Sequence, residues 1–248
     1  LALAHGLTEE LREPGEPLGS VVVDGVTHSV ERVTDPARLQ RIADAVGRDD
    51  VLIADGHHRY GVARIYRDEV RGSGGPTAAA AESTLTFVGE LVADQLSIDA
   101  IHRLYTGIDH AALREVLSAR FDIEPAPAPS PQLLADMEAR GSLVLLAPDG
   151  SAEWLTARPG AFDGIRALDG AWLEETLAGS AAHVTYQHGL PEVLAVLAEG
   201  GAEAAVLIRP VSIEEIERTA REGLLMPPKS TFFTPKLLTG LVIRDLRG

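Results

Sequence analysis

From residue 109 onward, segments with helical periodicity alternate with short, continuously apolar runs, a pattern that confines the chain to a fold in which helices pack on a sheet. Helices are expected over residues 110–120, from Ser130–Pro131, and near 169–178, 190–199 and 212–222. Strands are expected over 121–125, 143–147, 153–156, 183–186 and 203–209. The turn Pro148–Asp149–Gly150 makes 143–147 and 153–156 a hairpin. Pro125, Pro127 and Pro129 mark a linker, Ser212 with Glu215 has the spacing of a capping box, and Gly223 is a helix stop.

The part before residue 109 is less regular. The first 18 residues show no period, carry Gly6, Pro14, Gly15 and Pro17 among charges, and read as a loop entering from something earlier. Asp24–Gly25, flanked by Val21–Val22–Val23 and by Val26 to Val30, predicts a two-residue hairpin because both turn positions tolerate positive φ. Asp35 before Pro36 predicts a capped helix with Leu39, Ile42, Ala43 and Val46 inward and a stop near Gly47. Val51–Leu52–Ile53–Ala54 reads as a buried strand, and Val62, Ala63, Ile65 and Tyr66 give the next helix its apolar period. The Gly-rich stretch 71–76 is expected as a loop, 84–92 and the apolar segment 238–246 as strands, and 101–105 as a continuation of the sheet. Together these predict an α+β fold, with a first region over 1–108 and a second over 109–248. There is no internal repeat, and the only low-complexity tract is Ala78 to Ala81.

Composition narrows the function. With 22 basic against 37 acidic residues the net charge is −15, which repels polyanions and argues against broad nucleic-acid binding. The absence of cysteine rules out thiolate metal sites and a cysteine nucleophile. No apolar run approaches the ~20 residues of a membrane helix, and the N-terminus has no signal pattern, so no membrane partner and a cytoplasmic location are expected. Of the 22 basic residues only Lys229 and Lys236 are lysines, both in one short segment.

Two constellations could carry chemistry. Asp55–Gly56–His57–His58–Arg59 sits where a strand should feed a helix, so unpaired N–H groups, the positive helix end, two imidazoles and a guanidinium converge as a phosphate cradle. Either histidine could donate a hydrogen bond or move a proton. The same residues also suit a plain Asp55 helix cap with two surface histidines. Adjacent helical residues diverge by about 100°, which disfavours a shared metal ion, and no metal site is expected. The second constellation is Met226–Pro227–Pro228–Lys229–Ser230–Thr231, running through Phe232 and Phe233 to Lys236, a stiff segment with hydroxyls and ammonium groups. It suits a preformed site or a packed connector. His102–Arg103 is a weaker candidate that also reads as a structural pair; Asp149, Asp169 and Trp172 read as turn, cap and core.

The motif Ile53 to Tyr60, the pair His102–Arg103, and Met226 to Lys236 leading into residues 237–243 closely resemble the prokaryotic domain-of-unknown-function family ten-fifteen, over nearly the whole chain. That family is related to free serine kinases with a ParB/sulfiredoxin-like fold. The resemblance implies a mixed-sheet core followed by a second α/β region and a C-terminal strand. It implies a nucleotide or phosphate site at Asp55, Gly56, His57, His58 and Arg59, for ADP or ATP with Mg²⁺; Lys229, Ser230 and Thr231 of the second constellation are further candidates for holding the nucleotide. Asp55, His57 and His58 would then serve a phosphoryl transfer to a small hydroxyl compound such as serine. Family members also carry a Pro–Pro–Tyr–Asp segment and a His–Glu pair that supplies the kinases' base. This chain has no His–Glu dipeptide, and Glu13, Glu16 and Glu31 do not match it. The expectation is therefore a fragment or truncated homologue, a replaced base, or a non-catalytic nucleotide-binding module.

Overall fold

The computed structural model describes residues 1–93, 96–234 and 238–246. The chain forms two compact units, Leu1–Leu96 with Pro235–Gly248, and Ser97–Thr234. The class is α+β, as expected.

In the first unit, α1 (Leu7–Leu11) precedes the hairpin of β1 (Glu16–Val23) and β2 (Val26–Arg32). The strands pair Val23 with Val26 across Asp24 and Gly25, whose φ values of 50° and 78° are the left-handed pair that a two-residue turn needs. α2 (Pro36–Gly47) begins where Asp35 accepts the Arg38 N–H at 2.9 Å. Removing that cap with Asp35→Ala should cost about 1 kcal/mol, read as lost hydrogen-exchange protection at the start of α2. The helix does more than bury an apolar face: Arg38 is itself buried and donates to the carbonyls of Glu10, Glu13 and Pro14, tying down α1 and the turn into β1, where the first 18 residues are expected as a loop. α3 (His57–Val70) follows, then a 3-10 turn over Arg71–Ser73 and α4 (Gly75–Ala81).

Three expected strands are absent. Residues 51–54 and 84–92 contribute only isolated bridges, from Val51 and Glu90 to the two sides of Ala2. An apolar run becomes a strand only if a neighbour of matching length pairs with it, and here the neighbour is the short segment at residues 1–3. Residues 238–246 form no strand either; Ile243 is 83% exposed, and Arg244 donates to the carbonyls of Ser83 and Ala80. Conversely, the stretch 71–76 expected as loop holds the 3-10 turn and the start of α4, whose proline in the first turn and run Ala78 to Ala81 favour a helix. The apolar core of this unit is small, with Ala2, Leu7 and Ala45 at its centre, and α3 contributes no fully buried residue.

The second unit is built on a six-stranded sheet in the order β5-β7-β6-β9-β4-β8, antiparallel at every step. The strands are β4 (Ile101–Thr106), β5 (Phe121–Pro125), β6 (Leu143–Leu146), β7 (Ala152–Ala157), β8 (His183–His188) and β9 (Ala204–Leu207). β3 (Ser97–Asp99) pairs separately with β10 (Phe232–Thr234). The helices are α5 (His110–Ser118), α6 (Pro131–Arg140), α7 (Asp169–Leu177), α8 (Leu190–Ala198) and α9 (Ile213–Arg221), with Asp109, Ser130 and Ser212 capping α5, α6 and α9.

Both faces of the sheet are covered at its central strands, which is why β6 reads as an unbroken apolar run, whereas the edge strand β8 is mostly exposed. Val144 and Leu146 face a core shared with Leu133 and Met137 of α6 and Val193 and Leu197 of α8. Leu143 and Leu145 face the opposite core, with Leu113 and Leu117 of α5 and Leu173 of α7. The strand's period of two sends alternate residues into each core. β4, read from sequence with the N-terminal region, lies inside this sheet between β8 and β9.

Candidate functional site

The turn at residues 55–59 is local in origin. Gly56 takes φ 87° and ψ 23°, a conformation that costs a residue without Cβ little, and from it the chain enters α3 directly. Gly56, not Asp55, is the N-cap of that helix, and no side chain caps its first-turn N–H groups. Asp55 instead accepts the Gly56 N–H at 2.8 Å and faces Arg59, with Nη2 to Oδ2 at 3.4 Å. Both side chains are mostly exposed, 65% for Asp55 and 76% for Arg59, so the pair is weak and open to exchange. A Cβ on Gly56 would come 3.0 Å from Arg59 Nη2. The positive φ is what asks for glycine; the exposed Arg59 side chain could swing away from a Cβ.

His57 and His58 are exposed, and among the described residues neither imidazole has a partner. The arrangement offers uncapped amides at the positive end of a 14-residue helix, two free imidazoles and a guanidinium held only by an exposed carboxylate. Such a surface accepts an anion with little reorganisation.

The second constellation lies in the other unit. Lys229 holds φ 57°, unusual for a residue with a side chain, and its carbonyl accepts from Arg103 Nη1 at 3.2 Å. The Ser230 hydroxyl is buried and donates to the Pro227 carbonyl at 2.8 Å, while Thr231 is half-buried. Lys236 lies outside the described residues. Arg103 is the organiser here: buried, its pKa lowered by desolvation, it also donates to the Ile101 carbonyl and lies over the Tyr186 ring at 4.8 Å.

Sequence reasoning missed the partners of three groups, although it singled out His102 with Arg103 as a weaker candidate or structural pair and Asp169 as a cap. Asp169 is not a helix cap; its buried carboxylate takes three hydrogen bonds from Arg209. His102 is buried in β4 and accepts the Ile208 N–H. Glu90 is buried and accepts from His5 and from the Gly6 and Thr8 N–H groups. Burial alone would raise the Glu90 pKa; these hydrogen bonds outweigh it and bring it down to about 2, the state of a structural anchor rather than a base. Glu16 and Glu31 are likewise spent on the hairpin, pairing with Arg32 at 2.8 Å and accepting the Gly15 N–H at 2.7 Å. No short motif announces these partnerships, because each partner is remote in sequence.

A family model described as "Protein of unknown function (DUF1015)" matches residues 3–171, and the chain belongs to that family. No curated protein matches it. Among solved structures, a conserved hypothetical protein from Pyrococcus furiosus is similar at 14% identity and a TM-score of 0.46, over 76% of this chain and 72% of that one. A free serine kinase in complex with AMP gives 16% identity and 0.45, over 76% and 69%. A mutant free serine kinase in complex with ADP gives 13% and 0.41, over 73% and 66%.

Proposed function

We propose that the turn at residues 55–59 binds the phosphates of an adenine nucleotide, ADP or ATP, and that the protein passes a phosphoryl group from it to a small hydroxyl compound such as serine. The observation that carries this reading is the exposed, uncapped start of α3, with Arg59 folded over Gly56 and both imidazoles unpartnered among the described residues. The choice of a nucleotide follows the Asp–Gly–His–His–Arg motif, which the related kinases place at the phosphates.

The backbone amides of His57 and His58 would hold phosphate oxygens, and Arg59 would fork onto them after leaving Asp55. A phosphoryl transfer needs mainly positioning and charge neutralisation. The acceptor oxygen forms a bond to the terminal phosphorus, the bond to the bridging oxygen breaks, and the acceptor's proton passes to a carboxylate or imidazole, for which Asp55, His57 and His58 are the groups of this turn. Mg²⁺ fits as a companion of the phosphates rather than as a protein-caged ion: among the described residues no group of three acidic, histidine or cysteine side chains could hold a metal, and Mg²⁺ typically needs only one or two carboxylates beside phosphate oxygens. When bound it supplies charge neutralisation; Asp55 is the carboxylate at hand.

A second reading, a nucleotide-binding module without turnover, is favoured by one feature: the sequence has no His–Glu dipeptide, and buried Glu90 is committed to its hydrogen bonds. Incubation with ADP or ATP and serine separates the two. Phosphoserine supports the transferase, whereas nucleotide binding without product supports the module. In calorimetry, Arg59→Ala should weaken ADP binding at least ten-fold, the loss of a charge-assisted contact of about 1.5–3 kcal/mol; an unchanged affinity contradicts both readings. No helix among the described residues is long and apolar enough to cross a membrane.

A further inference from the structure

Within the second unit, a cleft of about 340 Å³ opens between β4, the start of α8, α6 and the segment after β9. That volume is at the lower end for small-molecule sites, typically about 300–1,000 Å³. Its charged and polar lining is Asp99, His102, Glu138, His188 and Arg209, over an apolar floor that includes Leu134 and Ile208.

His102 gives the cleft a direction. Only 4% exposed, it accepts the Ile208 N–H on Nδ1, which places the proton of the neutral ring on Nε2. That N–H has no acceptor among the described residues, and Nε2 is not among the unpartnered atoms sealed inside the protein. It therefore opens on the cleft and asks for an acceptor oxygen. The charges give the rest. Arg209 is already neutralised by Asp169, which takes its backbone N–H, Nε and Nη2 at 2.8, 3.0 and 2.6 Å. Neither Asp99 nor Glu138 makes a salt bridge among the described residues; Glu138 acts on Arg209 only through space, behind the hydrogen bonds from Asp169, and the Asp99 side chain accepts only from the Thr234 hydroxyl, at 3.3 Å. The cleft thus presents net negative charge, one buried donor and an apolar floor.

We propose that this cleft binds a small organic cation, a primary amine with an aliphatic body and a nearby oxygen acceptor. The ammonium lies against Asp99 and Glu138, and the oxygen accepts from His102 Nε2–H. The apolar floor favours a branched aliphatic chain over a compact hydroxyl compound. The site lies within the second unit and does not rest on the nucleotide reading.

The test is an NMR titration of the whole chain with leucinol, which carries all three features, beside 4-methylpentanol, which lacks the charge, and leucine, which adds a carboxylate. Leucinol should saturably shift the ring signals of His102 and His188 and bind at least ten-fold more tightly than 4-methylpentanol. Glu138→Gln, on an exposed residue that leaves the fold intact, should weaken leucinol five- to ten-fold, and added salt should weaken it further. His102→Asn keeps an acceptor for the Ile208 N–H, but its shorter amide carries no donor to the position of Nε2, and it should also weaken binding. Absence of leucinol binding, equal affinity for the uncharged alcohol, tighter binding of leucine, or indifference to Glu138→Gln would each overturn the proposal.

Discussion

Replacing Asp169 by alanine lowers the stability of the second unit by about 3–5 kcal/mol, the cost of leaving one half of a buried ion pair behind. The Asp169 side chain is 6% exposed and sits at the start of α7, where it takes the backbone N–H and two guanidinium nitrogens of Arg209. Its carboxylate holds the Arg209 pKa up, against the desolvation that would lower it. Alanine leaves a half-buried cation and a backbone donor without a partner, so the loss exceeds what the pair adds over an apolar replacement. Asp169→Asn, which retains an acceptor oxygen, should fall between the two. The measurement is convenient because the only two tryptophans, Trp154 and Trp172, both belong to the second unit, so urea unfolding followed by their fluorescence reports that unit. A loss well under 1 kcal/mol would contradict the account.

Acid should weaken the second unit before the first. Burial, with smaller contributions from the charges of Arg103 and His188, lowers the His102 pKa from 6.5 to about 4. Between those values the unfolded chain holds a proton that the folded one refuses, so stability is complete above about pH 6.5 and declines as pH falls toward 4. The full decline is on the order of 3 kcal/mol, at about 1.4 kcal/mol per pH unit. Glu90 in the first unit acts lower: its pKa drops from 4.5 to about 2, so its contribution is intact above pH 4.5 and is lost as pH falls toward 2. Tryptophan-monitored unfolding in a pH series checks the first window. The wild-type slope between pH 6.5 and 4 should flatten in His102→Asn; identical slopes would contradict the assignment.

Legibility in the sequence followed the range of the interactions. The Asp24–Gly25 hairpin, the Asp35 and Ser130 caps and the Gly56 turn depend on neighbours within a few residues, and each occurs where the local chemistry places it. The β6 run was also readable, since four consecutive apolar residues need cover on both faces. What failed depends on remote partners. Residues 51–54 and 238–246 are as apolar as true strands but find no ladder. Asp169 and Arg209 are 40 residues apart, and His102 meets Ile208 across 106. The box at α9 shows both cases at once: Ser212 accepts the Glu215 N–H as its spacing predicts, yet the Glu215 carboxylate turns to Arg166 and Arg218. The turn at residues 55–59 belongs to the local group, which is why its backbone was legible in the sequence, whereas the cleft beside His102 required the assembled sheet.

The most direct test of the central claim is to follow the backbone amide signals of Gly56, His57, His58 and Arg59 while adding ADP, with adenosine as the control. The account predicts saturable shifts at these amides with ADP and much smaller ones with adenosine, because the phosphates, not the base, meet the start of α3. ADP that binds while these four amides stay still, or adenosine that moves them equally, would contradict it.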